Sequence, residues 1–185
     1  MALIGLDKLY YALLTKDDST GVTYGTPKRI EGAIEIKTEP QTNSNTLYAD
    51  NMAFAVETAQ GEVKVSVNIE DLPLEVHAEL LGHTISNGVM ISSGDDKAPD
   101  VALLFESKKR GGGIRYVKLL KGKFQEPAEN PKTQTDSPEY VTPTLEGTFV
   151  NRQFDKIWKK TADSTNPAFT GAAKWYQSVE ESVGA

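Results

Sequence analysis

Gly61-Glu62-Val63-Lys64-Val65-Ser66-Val67-Asn68-Ile69-Glu70 alternates without a break between apolar and polar side chains. Val63, Val65, Val67 and Ile69 fall on one face; Glu62, Lys64, Ser66, Asn68 and Glu70 fall on the other. A period of two is that of a β-strand. Its one-sided form belongs to an antiparallel sheet with one face on a core and one in water. Working outward, residues 33–39 repeat the pattern, with Ile34 and Ile36 opposed to Glu35, Lys37 and Glu39. Residues 52–60 alternate Met52, Phe54 and Val56 with Ala53, Ala55 and Glu57, and Gln60-Gly61 reads as the tight turn of a hairpin over 52–70.

Further strands are expected at 6–14, 101–106, 114–124 and 144–150, with a weaker one at 157–161 after a turn near Asp155-Lys156. Residues 6–14 carry Leu and Tyr on both faces, as a strand covered on two sides would. The glycines of Lys108-Lys109-Arg110-Gly111-Gly112-Gly113 supply a hairpin loop between two of these strands. One helix is expected over 71–82: Asp71 is placed to cap it, Pro73 falls in its first turn and Gly82 ends it. Leu72, Val76 and Leu80, four apart, would lay an apolar stripe on the sheet. A second helix is expected over 172–182, where Trp175 and Val179 are also four apart. Residues 39–51, 125–143 and 161–171 read as long polar connections. Four of the nine Pro lie in the second of these. Loops this long order most readily against neighbouring subunits, which points to an assembly.

The 185 residues suit one domain, 38% apolar, with 15 Gly and no Cys. Without Cys there are no disulfides, thiolate nucleophiles or Cys-based metal sites. No run approaches the length of a membrane span, and a signal peptide is not expected. The net charge of −6 is unevenly spread: −10 over residues 1–107, +7 over 108–123 and −3 over 124–185. An acidic body thus carries one short basic segment.

The chemistry readings are bland. There is no G-x-S-x-G elbow. His77 and His83, six apart, do not share a helical face as an i, i+4 metal pair does, so no metal, cofactor or catalytic residue is expected. Asp17-Asp18, Asp95-Asp96 and Glu180-Glu181 stand beside turns or a terminus and read as solvated charges. The 108–113 loop lacks the phosphate-binding pattern, and the acidic body around it would repel nucleic acid. Charge complementarity between copies of the chain explains it better.

A combination of residues along most of the chain resembles the major tail (tail tube) proteins of long-tailed bacteriophages, of the phi13 type. They include Ile4-Gly5-Leu6-Asp7-Lys8-Leu9-Tyr10-Tyr11-Ala12, Gly21-Val22-Thr23-Tyr24-Gly25, Tyr48-Ala49-Asp50-Asn51 and Leu72-Pro73-Leu74-Glu75. Leu80-Leu81-Gly82, Pro99-Asp100-Val101-Ala102-Leu103, Tyr116-Val117-Lys118, Gly122-Lys123-Phe124, Arg152, Trp158-Lys159, Trp175 and Val179 continue it. The resemblance implies a mainly β fold, a small β-sandwich with barrel-like features, one flanking helix and long ordered loops. It implies a single domain over 1–185: N-terminal arm 1–14, loop 39–51, hairpin 52–70, helix 71–82, Pro-rich loop 125–143 and C-terminal segment 161–185. It further implies that six copies form a ring whose strands complete a ring-wide β-barrel. The rings then stack into a hollow tube that conducts DNA into the host.

The partners implied are the chain itself, a tape-measure protein in the lumen, the tail terminator, distal tail or baseplate proteins, and genomic DNA in transit without sequence-specific binding. The location implied is the virion tail, assembled in the host cytoplasm. Glu35, Lys37, Glu39, Glu57, Glu62, Lys64, Ser66, Asn68 and Glu70 are the candidate lumen-facing residues. Leu6, Tyr10, Tyr48, Asp50, Lys108, Lys109 and Arg110 are the candidates for subunit or ring contacts. Two other readings share the pattern: the tube of a phage-tail-like bacteriocin or secretion apparatus, and a monomeric carbohydrate-binding β-sandwich, which would display an exposed aromatic platform.

Overall fold

The computed structural model describes residues 2–49, 52–128 and 141–180, the side chains of 43–58 apart. Its strands are β1 (Leu3–Asp18), β2 (Gly21–Tyr24), β3 (Lys28–Ile30), β4 (Ala33–Ala49) and β5 (Met52–Ile69), followed by helix α1 (Leu74–Leu81). Then come β6 (Thr84–Ser86), β7 (Val89–Ile91), β8 (Val101–Lys109), β9 (Ile114–Phe124), β10 (Thr144–Phe149) and β11 (Lys159–Asp163). Nine strands form one antiparallel sheet in the order β2-β1-β8-β9-β10-β5-β4, with β3 added to β1 and β11 to β9; β6 and β7 make a separate small hairpin.

The sheet doubles over one core and does not close into a barrel. Leu9 and Tyr11 of β1, Leu103 and Phe105 of β8, and Val117 and Leu119 of β9 meet Val63, Val65, Val67 and Ile69 of β5, Leu145 and Phe149 of β10, and Leu80 and Leu81 of α1. The fold of the sheet lies on β9. One edge of β9 pairs with β8 between Ile114 and Gly122, while the other passes from β11, at residues 115–119, to β10, at Gly122, Lys123 and Phe124. At this corner Gly122 stands opposite Phe149 and Gly147 opposite Phe124, and the two rings meet edge to face at 5.8 Å. Each glycine makes room for the ring across from it.

The two-sided reading of the first strand is correct. Opposite the core, Tyr10, Ala12, Ala102, Leu104 and Leu120 are covered by Tyr176 and Val179. Three buried charges fasten that C-terminal cover. Lys118 donates to the Ser178 and Val179 carbonyls at 3.0 and 3.1 Å, with its ammonium 4.2 Å from the Trp175 ring centre. Glu106 accepts from the Tyr176 hydroxyl at 2.9 Å and pairs with Lys8 at 3.0 Å. Arg152 pairs with Asp155 and Glu180 and donates to the Tyr24 hydroxyl.

Several expectations are corrected. Among the described residues of 172–182 there is only a single 3-10 turn, Ala172–Lys174, and no α-helix. Beyond it, two carbonyls that a helix would use accept from Lys118 instead. Residues 39–49 are not a loop but the second half of β4, paired with β5 as far as Ala49↔Met52. Polarity there misled because the backbone pairing this stretch makes with β5 requires no apolar side chains. Gln60-Gly61 is not a turn: β5 runs straight through it. Thr42 pairs with Gln60 and Pro40 with Val63, so Gly61 and Glu62 oppose Gln41 alone. This β-bulge switches the apolar parity from even to odd residues, the change that mimics a chain reversal. A second irregularity between Ala33 and Glu35 turns Ile34 out to 53% exposure, leaving Ala33 and Ile36 on the core. The expected helix is α1, but it begins at Leu74 after Pro73, without a side-chain cap from Asp71. The 125–143 connection falls mostly outside the described residues.

Candidate functional site: the outer face of β4, β5 and β10

The outward side chains of three neighbouring strands form a register-aligned grid. Glu35, Asn68 and Thr144 make one row, Lys37, Ser66 and Glu146 the next, and Glu39, Lys64 and Thr148 the third. The face follows directly from the period-two pattern, whose apolar half is sunk in the core. Its charges nearly cancel. Lys37 pairs with Glu39 at 2.6 Å, and Glu39 lies across from Lys64. The hydrogen bond to Lys37 holds the Glu39 carboxyl below its usual range, and the same contact raises Lys37. Asn68 donates to the hydroxyls of Thr142 at 3.0 Å and Thr144 at 2.9 Å. A shallow depression bordered by Lys37, Glu39, Lys64, Ser66, Gln125, Glu146 and Thr148 runs over this surface.

Of the candidate lumen residues, Glu35, Lys37, Glu39, Lys64, Ser66 and Asn68 therefore share one face. Glu62 is exposed at the bulge, and Glu70 is exposed beyond the end of β5. The Glu57 side chain is outside the description. Glu146, Thr144 and Thr148 complete the grid and were missed, because strand pairing across long sequence separations is invisible in one chain's pattern.

β4 is an edge strand, and Pro40, which has no amide proton to offer, lies on it. β10 covers β5 only from Val63 to Asn68. Past that point residues 42–49 and 52–60 continue as a two-stranded ribbon of about 27 Å at ~3.4 Å per residue. Such a ribbon is marginally stable by itself and gains from neighbours on its edges.

The contact candidates divide. Tyr10 stacks on Tyr176 at 4.5 Å, and Leu6 packs on the core, so both serve the subunit's own packing. Asp50 and the Tyr48 side chain lie outside the description. Lys109 is buried in an ion pair with Asp163, which Arg115 also reaches at 3.1 Å. Lys108 pairs with Asp7 at 3.3 Å, Lys121 with Asp17 at 2.7 Å and Lys123 with Asp100 at 3.9 Å. Much of the basic segment is thus matched within its own chain, with Lys108 and Arg110 exposed at the hairpin tip. Nor is Asp17 an ordinary solvated acid. Its side chain is 4% exposed and accepts from the amides of Gln153 and Phe154. Burial opposes its ionisation, but those amides and Lys121 outweigh it and lower its pKa.

A family model described as phage tail tube protein matches residues 1–184. The chain belongs to that family. The chain is accordingly a structural component of the virion tail, consistent with a mainly β, sandwich-like fold whose longest strands, β4 and β5, run on past the strands that flank them. No curated protein sequence is significantly similar to this chain. A sugar-binding platform finds no support in Trp175, which is 4% exposed and boxed in by Tyr116 and Phe169. No helix among the described residues is long and apolar enough to cross a membrane.

Proposed function

We propose that six copies of this chain close into a ring, that rings stack into a hollow tube, and that the grid of β4, β5 and β10 lines the bore through which DNA is ejected. Family membership supports the tube. The observation that carries the rest is the β4–β5 ribbon, an unfinished two-stranded element that needs neighbouring subunits. Lateral pairing of sheet edges around a ring would remove the open edge at β4. Exposed Ile85, Val89 and Ile91 on the β6–β7 hairpin supply further apolar surface for burial between copies. Lys108 and Arg110 add a charged contact between subunits.

A bore lined by Thr, Ser, Asn and self-cancelling charges offers phosphates no cluster of cations, so DNA slides instead of sticking. The tape-measure protein would occupy the same bore before DNA does, with terminator and distal tail proteins closing the two ends. Synthesis and assembly take place in the host cytoplasm.

Electron microscopy of the purified chain should show hollow tubes. Replacing residues 44–57 by a two-residue turn should abolish them while leaving a folded monomer by circular dichroism. Monomers that stay monomeric under all conditions would refute the reading. Reversing Glu35, Glu39 and Glu146 to Lys should leave tubes intact but slow DNA release from the virion. Unchanged ejection would remove the grid from the bore.

A further inference from the structure

The two histidines do not share a helical face, yet the fold brings them together. Gly82 ends α1 in the left-handed conformation at φ 77°, and a Cβ there would lie 2.4 Å from the Lys97 carbonyl oxygen. Only glycine makes this reversal, which carries His83 back beside His77 with ring centres 5.9 Å apart. Glu126, just past the end of β9, reaches both rings. One carboxylate oxygen is 3.1 Å from His77 Nε2 and the other 2.8 Å from His83 Nε2. Both imidazoles are buried, at 8% and 7% side-chain exposure, whereas Glu126 is 56% exposed.

We propose that His77 Nε2, His83 Nε2 and the Glu126 carboxylate form a divalent-metal site with a preference for zinc. Two imidazoles and one carboxylate are a zinc donor set, and the solvent side of Glu126 leaves a fourth position for water. The donor atoms already lie within 4.8 Å of one another. Tetrahedral coordination at bonds of about 2.0–2.1 Å requires ligand separations of about 3.3 Å, a closure within reach of side-chain rotation.

The independent mark of a built site is behind His83. Its Nδ1 faces Asp96 Oδ2 at 2.7 Å, and the same oxygen accepts from the Ser93 amide at 2.8 Å. An imidazole that donates through both nitrogens is a cation. A metal ion at Nε2 takes the place of that proton while Nδ1–H stays on Asp96, the carboxylate–histidine–metal arrangement that orients a ligand ring. The site would tie three separate segments together: α1, the turn after it, and the start of the 125–143 connection.

The test uses the tag-free, chelator-stripped chain, unassembled, titrated calorimetrically with zinc chloride and optically with Co²⁺. One ion per chain and a tetrahedral cobalt spectrum are expected. Glu126→Gln, at a half-exposed position that keeps the fold, should weaken binding at least about 10-fold, and Asp96→Asn by 10–100-fold. His83→Gln should weaken it further still. No saturable binding by the parent chain, or affinity unchanged in both Glu126→Gln and His83→Gln, would overturn the proposal. Neither outcome bears on tube assembly, which is measured separately.

Discussion

The corner where the sheet folds over rests on Gly122 beneath Phe149, and a double-mutant cycle tests it. A Cβ at Gly122 would stand 2.4 Å from Phe149 Cγ and 2.5 Å from both Cδ atoms. Phe149 is fully buried and held by Phe124, so the ring has nowhere to go. Gly122→Ala should therefore cost about 1–3 kcal/mol by overpacking. No positive φ is involved at this glycine, so the cost is steric and not a backbone penalty. Phe149→Ala should cost about 3–5 kcal/mol through the cavity it leaves. If the contact is what couples the sites, the added methyl has no ring to strike in the double variant and fills part of the void. The double variant should then be no worse than Phe149→Ala alone, giving a coupling of about 1–3 kcal/mol. Urea unfolding followed by circular dichroism measures all four proteins, with each kcal/mol moving the thermal midpoint by roughly 2–4 °C at this chain length. Additive losses would refute the reasoning, because they would mean that the ring and the glycine do not meet as described.

Other expectations follow from the buried charges and from α1. Arg152→Ala leaves Asp155 and Glu180 without their shared cation and should cost roughly 3 kcal/mol, with the C-terminal segment becoming the first part cut in limited proteolysis. Asp17 has a lowered folded pKa, so the stability it contributes is present above the ordinary aspartate value of 3.8 and is lost as pH falls below that value through the folded one. Asp17→Asn should remove that part of the acid sensitivity and should cost about 2 kcal/mol at neutral pH, measured by unfolding at both pH values. Gly82→Ala combines a left-handed residue with a carbonyl clash and should cost at least about 2 kcal/mol in thermal unfolding.

Much of the fold was legible because burial imposes a period. Val63, Val65, Val67 and Ile69 had one dry face to fill, and Leu9, Tyr10, Tyr11 and Ala12 had two; both patterns survive in the structure. Gly82 was legible as a stop. Two irregularities defeated the pattern where it looked most secure. The bulge at Gly61 and Glu62 turned a parity change into an imagined hairpin, and the irregularity around Ile34 pushed an apolar side chain into water. The outer half of β4 was illegible for the opposite reason: residues 41–46 are polar throughout and show no apolar period, yet their backbone pairs with β5.

The sequence by itself determined the mainly β class, helix α1, the polar face of β5 and the family. All of these depend on residues near one another along the chain or on a recognisable ensemble of them. Tertiary structure alone decided which faces align and which charges meet. Glu146 joins Ser66 and Lys37 in one row, Lys109 is matched by Asp163, and Glu126 lies between two histidines. Those meetings depend on how strands far apart in sequence come into register, and no local period encodes that.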